Sequence, residues 1–141
     1  ATYISELRKM GQNIGIISAD GLDVSNFIEL LGQDAEGVVI ITTYSPYNKR
    51  PELDKFTEKY QTKYNEEPDV WAIQGYESLQ LIAHAIKQTN SVSAAALADY
   101  LRGMEPWPSV SGNIHFNEHG EISGRDIYQK VVVNGQFQYL N

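Results

Sequence analysis

Residues 37–44 read Gly-Val-Val-Ile-Ile-Thr-Thr-Tyr, and no other stretch restricts the fold as strongly. Side chains branched at Cβ are stiff at χ1 and favour an extended backbone. An unbroken run of them predicts a strand buried on both faces, as in a parallel sheet. The neighbouring segments must then supply the layers that cover it.

They read mostly as helices. Ile4, Leu7 and Met10 recur at helical spacing, and Gly11 is placed as a stop before Ile14, Ile16 and Ile17, which read as a short strand. Ser18, Ala19, Asp20 and Gly21 form a turn, after which Phe27, Ile28 and Leu31 mark a short amphipathic helix ended by Gly32. Beyond the β-branched run, residues 45–51 are a polar loop with two prolines. Leu53, Phe56, Tyr60 and Tyr64 then lie on one side of a helix whose first turn carries Glu52 and Asp54, suited to its positive end.

In residues 69–88 the set Leu79, Ile82, Ala83 and Ile86 predicts a long helix packed through that face. Ser93 is expected to cap a further helix through Leu97, Tyr100 and Leu101, ended by Gly103. Pro106-Trp107-Pro108 reads as a connection. The last thirty residues change character: 113–116 and 128–133 read as strands, Asn117 and Gly120 as turn residues, and Asn134-Gly135 as the closure of a β-hairpin. The fold class is therefore α/β, a parallel sheet flanked by helices whose chain finishes in antiparallel strands.

Composition excludes several functions. The formal charge of −7 opposes attraction to nucleic-acid phosphates and anionic lipids. With no cysteine, disulfides, thiolate zinc sites and thiol nucleophiles are all ruled out, but the compartment is not decided. No apolar run approaches the length of a membrane span, so the chain reads as soluble. It begins with Ala1, and no basic segment followed by an apolar one precedes Tyr3; a signal peptide is expected to be missing through processing or truncation.

Candidate site residues are few. Asp20 follows a predicted strand and precedes Gly21, at the strand end where open α/β sheets bind ligands; the same carboxylate also suits a helix cap or a turn. Tyr44 and Tyr47 straddle the loop after the β-branched strand, where a ring with a hydroxyl suits a pocket wall as well as ordinary packing. Tyr76, next to Glu77, reads as helix core or as a ligand contact.

His115 and His119 have metal-ligand spacing for a helix, but Asn117 and Gly120 place them on a strand and its turn, so no metal site is expected. His84 reads as a hydrogen-bonded or surface histidine. The strand-to-helix turns carry no phosphate-binding or nucleophile signature, so neither a cofactor nor an enzymatic activity is expected.

Four segments in order resemble the C-terminal portion of the leucine/isoleucine/valine-binding family, the type I periplasmic solute-binding proteins of ABC importers. They are residues 7–11 followed by 17–22; Gly32-Gln33-Asp34-Ala35-Glu36-Gly37-Val38 leading to Thr42; residues 56–64 with Gly75-Tyr76-Glu77-Ser78; and Ser111-Gly112-Asn113-Ile114-His115-Phe116-Asn117-Glu118-His119-Gly120. The resemblance implies a fragment of a two-lobe protein that closes on a solute. Residues 1–45 and 110–141 would fall in one α/β lobe and the helical residues 46–109 in the other, with crossovers near 44–49 and 104–111.

Because Ser18-Ala19-Asp20-Gly21 aligns with the family's acidic loop, the resemblance gives Asp20 the ligand's α-ammonium; Gly21, Tyr44 and Tyr76, placed by their positions in the chain, are the other expected ligand contacts. Aspartate in place of the usual glutamate shortens that reach by one methylene. The implied role is extracytoplasmic binding of an amino acid, branched-chain or related, or of a similar small polar solute, for delivery to a membrane permease. A sensor domain of a signalling receptor is the alternative, and an α/β enzyme the less favoured one. A fragment with open strand edges is also expected to self-associate.

Overall fold

The computed structural model of the chain describes residues 2–24 and 26–140. It divides into two compact units, one formed by Ala1–Tyr47 and Ile127–Asn141, the other by Asn48–Asp126. The chain thus returns to its first unit after Asp126. Residues 110–126 pack with the second unit, a difference from the sequence expectation that grouped them with 1–45.

The first unit is a four-stranded sheet with helices packed against it. Helix α1 (Thr2–Lys9) leads to β1 (Ile17–Ser18), a 3-10 turn (Asp20–Leu22), α2 (Phe27–Leu31), a second 3-10 turn (Gly32–Ala35) and β2 (Val39–Thr42). β1 and β2 run parallel; β6 (Tyr128–Val133) pairs antiparallel with β2, and β7 (Gln136–Tyr139) antiparallel with β6. The hairpin between the last two is closed by Asn134 and Gly135, at φ 53° and 70°. Both central residues in the left-handed region mark a type I′ turn, the reason Asn-Gly is favoured there.

The core joins Ile4 of α1, Phe27 and Leu31 of α2, Ala35, Val38, Ile40 of β2 and Val132 of β6. It lies on one face of the sheet. β2 therefore alternates, with Ile40 and Thr42 buried and Ile41 38% exposed, where the sequence predicted burial on both faces. A β-branched run satisfies a half-buried strand as readily as a fully buried one.

The second unit holds α3 (Pro51–Tyr64), α4 (Val70–Thr89), α5 (Ala94–Gly103) and a small antiparallel sheet of β3 (Trp107–Ser109), β4 (Gly112–Phe116) and β5 (Ile122–Ser123). Pro51 opens α3, where a missing N–H costs nothing, and Asn65 ends it in the left-handed conformation. Asp69 caps α4 by accepting from the backbone N–H of Ala72 at 2.8 Å. The side chain of Ser93 makes no such bond to α5, contrary to expectation; the nearby Ser91 hydroxyl accepts from the N–H of Ser93 instead.

Two further expectations change here. α4 packs through Val70, Ile73, Glu77, Leu81 and Ala85, so the predicted face is turned outward, with Leu79 67% exposed. Trp107 is no mere connection but begins β3, pairing with Ile114. Leu81, Met104 and Ile114 form the buried cluster under Tyr100, Leu101, Trp107 and Phe116.

Candidate functional site

In the first unit the register Ile17↔Val39 and Ser18↔Ile40 brings the carboxyl ends of β1 and β2 to one edge of the sheet. Asp20 stands just beyond β1, opening the 3-10 turn, and is half-buried. The turn is held by two backbone bonds, Leu22 N–H to the Ala19 carbonyl at 3.3 Å and Asp23 N–H to the Asp20 carbonyl at 2.8 Å. The cap position of α2 belongs to Asn26, so Asp20 does not occupy it. A methyl group added at Gly21 would meet nothing within 4 Å, which leaves the space over this residue open.

Tyr44 follows β2 at the same edge, its N–H 3.4 Å from the Thr42 hydroxyl, and is half-buried. Tyr47 turns its ring edge-on to Tyr139 of β7, centroids 5.5 Å apart. Burial pushes the Tyr139 phenol well above its ordinary value, and Asp23, Tyr44 and Tyr47 add to the shift. Its hydroxyl is therefore a neutral donor throughout the physiological range.

Sequence reasoning missed the pair beneath this edge. Asp23 and Lys130 are both buried, and the Lys130 ammonium donates to Oδ1 of Asp23. A signal was present: Lys130 shares its side of β6 with Val132, so the strand's alternation points a cation into the core. Such a group needs a buried counter-charge.

The remaining candidates lie in the second unit. Tyr76 sits on α4 with its ring 4.8 Å from Phe56, extending an aromatic row through Tyr60 and Tyr64 along α3. These rings line an open groove of about 670 Å³ that also exposes Trp71 and Leu79. Glu77 is 2% exposed; Oε1 accepts from the Ser109 hydroxyl, from Ser111 N–H at 2.8 Å and from the Ser111 hydroxyl at 2.7 Å, while Oε2 pairs with Arg125. Its role is to tie α4 to the β3–β4 turn.

His84 Nε2 lies 3.0 Å from the Tyr100 hydroxyl, and His115 Nδ1 lies 3.0 Å from the Ser123 hydroxyl across β4 and β5. His119 lies in the turn beyond, beside Glu118. Among the described residues no cluster of three or more metal-ligating side chains forms.

Asp20, Gly21 and Tyr44 thus share one edge of one unit: a carboxylate, an open backbone position and an aromatic hydroxyl. That set suits a small solute carrying a cationic group and an apolar part.

Residues 1–135 match the periplasmic binding protein family, and the chain belongs to it. A Leu/Ile/Val-binding protein homolog from Brucella suis is 22% identical over 97% of this chain and 37% of its own length. The crystal structure of the leucine-binding protein LivK from Thermotoga maritima superposes with a TM-score of 0.84 at 27% identity, covering 99% of this chain and 40% of that one. The branched-chain amino acid transporter substrate-binding protein LivJ from Streptococcus pneumoniae, in complex with isoleucine, shares the fold at a TM-score of 0.78, 24% identity, 96% of this chain and 39% of that one. The chain spans about two fifths of the length of the relatives it matches.

Proposed function

We propose that this member of the periplasmic binding protein family contributes to the solute-binding component of an ABC importer, working outside the cytoplasm on an amino acid of the leucine, isoleucine and valine class. The observation that carries the reading is Asp20 at the carboxyl end of β1, beside Tyr44 at that of β2. Open α/β sheets take their ligands at strand carboxyl ends. In this reading Asp20 accepts from the α-ammonium, charge-assisted hydrogen bonds worth about 1.5–3 kcal/mol. Gly21 lets the solute approach the backbone, and Tyr44 supplies a hydroxyl and a ring wall.

Relatives named for leucine, isoleucine and valine support the solute class, and those named as transport proteins support delivery to a membrane permease. The protein binds and releases its solute unchanged. A sensing role would use the same contacts and differ in its flanks: a signalling domain in the same reading frame marks a sensor, whereas a neighbouring permease and ATPase mark an importer.

The test is a thermal-shift screen of the full-length protein that carries this chain against amino acids, amides and small carboxylates. Leucine, isoleucine or valine at about one hundred times Kd is expected to stabilise by about 2.7 kcal/mol. No shift with any of the three contradicts the reading.

A further inference from the structure

The Asp20 turn is tethered to the interior of the sheet. Asp23, which closes the turn by donating its N–H to the Asp20 carbonyl, is 5% exposed and pairs through Oδ1 with Lys130. Lys130, also 5% exposed, stands on β6, in register with Ile40 of β2. Its ammonium lies 3.9 Å from the centroid of the Phe137 ring and 5.8 Å from that of Tyr139, both on β7. Two strands therefore hold the cation from below, and the cation holds the carboxylate that ends the turn.

The turn has little stability of its own. Three residues in a 3-10 conformation, one of them glycine, make weak hydrogen bonds and resist opening poorly. A buried ion pair in this place is no cheap source of stability either, because desolvation offsets most of its attraction and apolar residues of similar size serve as well. What the pair supplies is geometry, since a cation fixed between two strands defines where Asp23 must sit, and Asp23 fixes Asp20 through a 2.8 Å bond.

We infer that Lys130 is a positioning residue for solute binding: through its buried pair with Asp23 it holds the turn Asp20–Leu22 in the conformation that presents the Asp20 carboxylate. This rests on the reading of Asp20 as the ammonium contact. Lys130 touches no solute; it acts through Asp23.

The experiment uses the full-length protein, with L-leucine as the probe in calorimetry and amide hydrogen exchange in its absence. Lys130→Met is expected to weaken leucine binding by at least about tenfold, and Lys130→Arg to stay within about threefold of wild type. In an Asp20→Asn background Lys130→Met should change affinity by less than about twofold, because both act through one contact. Exchange at the amides of Leu22 and Asp23 should quicken by at least about tenfold in Lys130→Met, with the β2 amides unchanged.

Asp23→Asn, which keeps the shape of the side chain, is expected to move affinity and exchange in the same directions and carries the test if Lys130→Met does not fold. Wild-type exchange at Leu22 and Asp23 in a folded variant would overturn the inference, as would effects of Lys130→Met and Asp20→Asn that simply add. If the wild-type protein takes up no leucine, the proposed function fails, and the exchange result then decides only whether Lys130 holds the turn Asp20–Leu22.

Discussion

Glu77 of α4 and Arg125, beside the end of the second unit, form an ion pair that is almost wholly withdrawn from water. Ser111 joins them, bonding Glu77 Oε1 through both its N–H and its hydroxyl and accepting from Arg125 at 3.0 Å. Removing one partner strands the other charge in the interior. Glu77→Ala should therefore cost about 3–5 kcal/mol of stability in urea denaturation. A loss below about 0.5 kcal/mol, the range of ordinary surface changes, would contradict this placement.

Two glycines separate strain from space. Gly135 sits at φ 70° in the β6–β7 turn, where an L side chain is disfavoured by about 1–2 kcal/mol. The turn is also held from outside, since Glu36 accepts from the N–H of Asn134 at 2.8 Å and from that of Gly135 at 3.3 Å. Gly135→Ala is expected to lose stability of that order. Gly21→Ala meets no atom within 4 Å and should fold normally, within about 0.5 kcal/mol. Thermal denaturation of the pair distinguishes them.

Tyr139 gives the protein an alkaline weakness. Its phenol is raised by burial and by the charge of Asp23, so the folded state keeps a proton that the unfolded chain releases near the ordinary value of 10.0. The unfolded state then binds fewer protons, and stability falls as pH rises above that value. Below it the contribution is complete. Tyr139→Phe should flatten the decline between about pH 10 and 11, seen as a smaller loss of urea midpoint than in wild type. An identical decline would place the titration elsewhere.

Exposed apolar side chains occur in both units: Ile17 and Ile41 on the sheet of the first, Leu79 and Ile82 on α4 of the second. β7, with four residues, forms the longer open edge of the first unit's sheet. Such edges and patches pair readily with another chain. The 141-residue chain on its own is expected to self-associate at micromolar concentration, whereas a strictly monomeric light-scattering profile would argue against this.

The sequence conveyed those features that are local. Val39–Thr42, within the run 37–44, are a strand because their branching favours it, and Asn134-Gly135 closes a hairpin because few other pairs accept two left-handed conformations. Asp20 at a strand end was legible for the same reason. The packing face of α4 was hidden because its inner face includes the carboxylate Glu77, while the more apolar set, Leu79 and Ile82, points out. Hydrophobicity ranks a satisfied buried charge as surface, and only its partners reveal otherwise.

β3 escaped because Pro106 before it and Pro108 within it read as breakers, yet Pro108 lies in a short strand paired with β4, a position where a missing N–H is tolerated. Alternation shows that residues 113–116 form a strand but not which sheet takes it, and as part of β4 they join β3 in the second unit. The Asp23–Lys130 pair joins residues 107 positions apart, beyond the reach of any periodicity. Its one trace was a lysine on the core side of β6.

In the proposed function, Asp20 holds the solute's ammonium. Calorimetry of the full-length protein with L-leucine, comparing wild type with Asp20→Ala, tests it most directly. Affinity is expected to fall by at least about tenfold, about 1.4 kcal/mol, in a variant whose thermal unfolding is otherwise normal. Affinity unchanged within about twofold would contradict it.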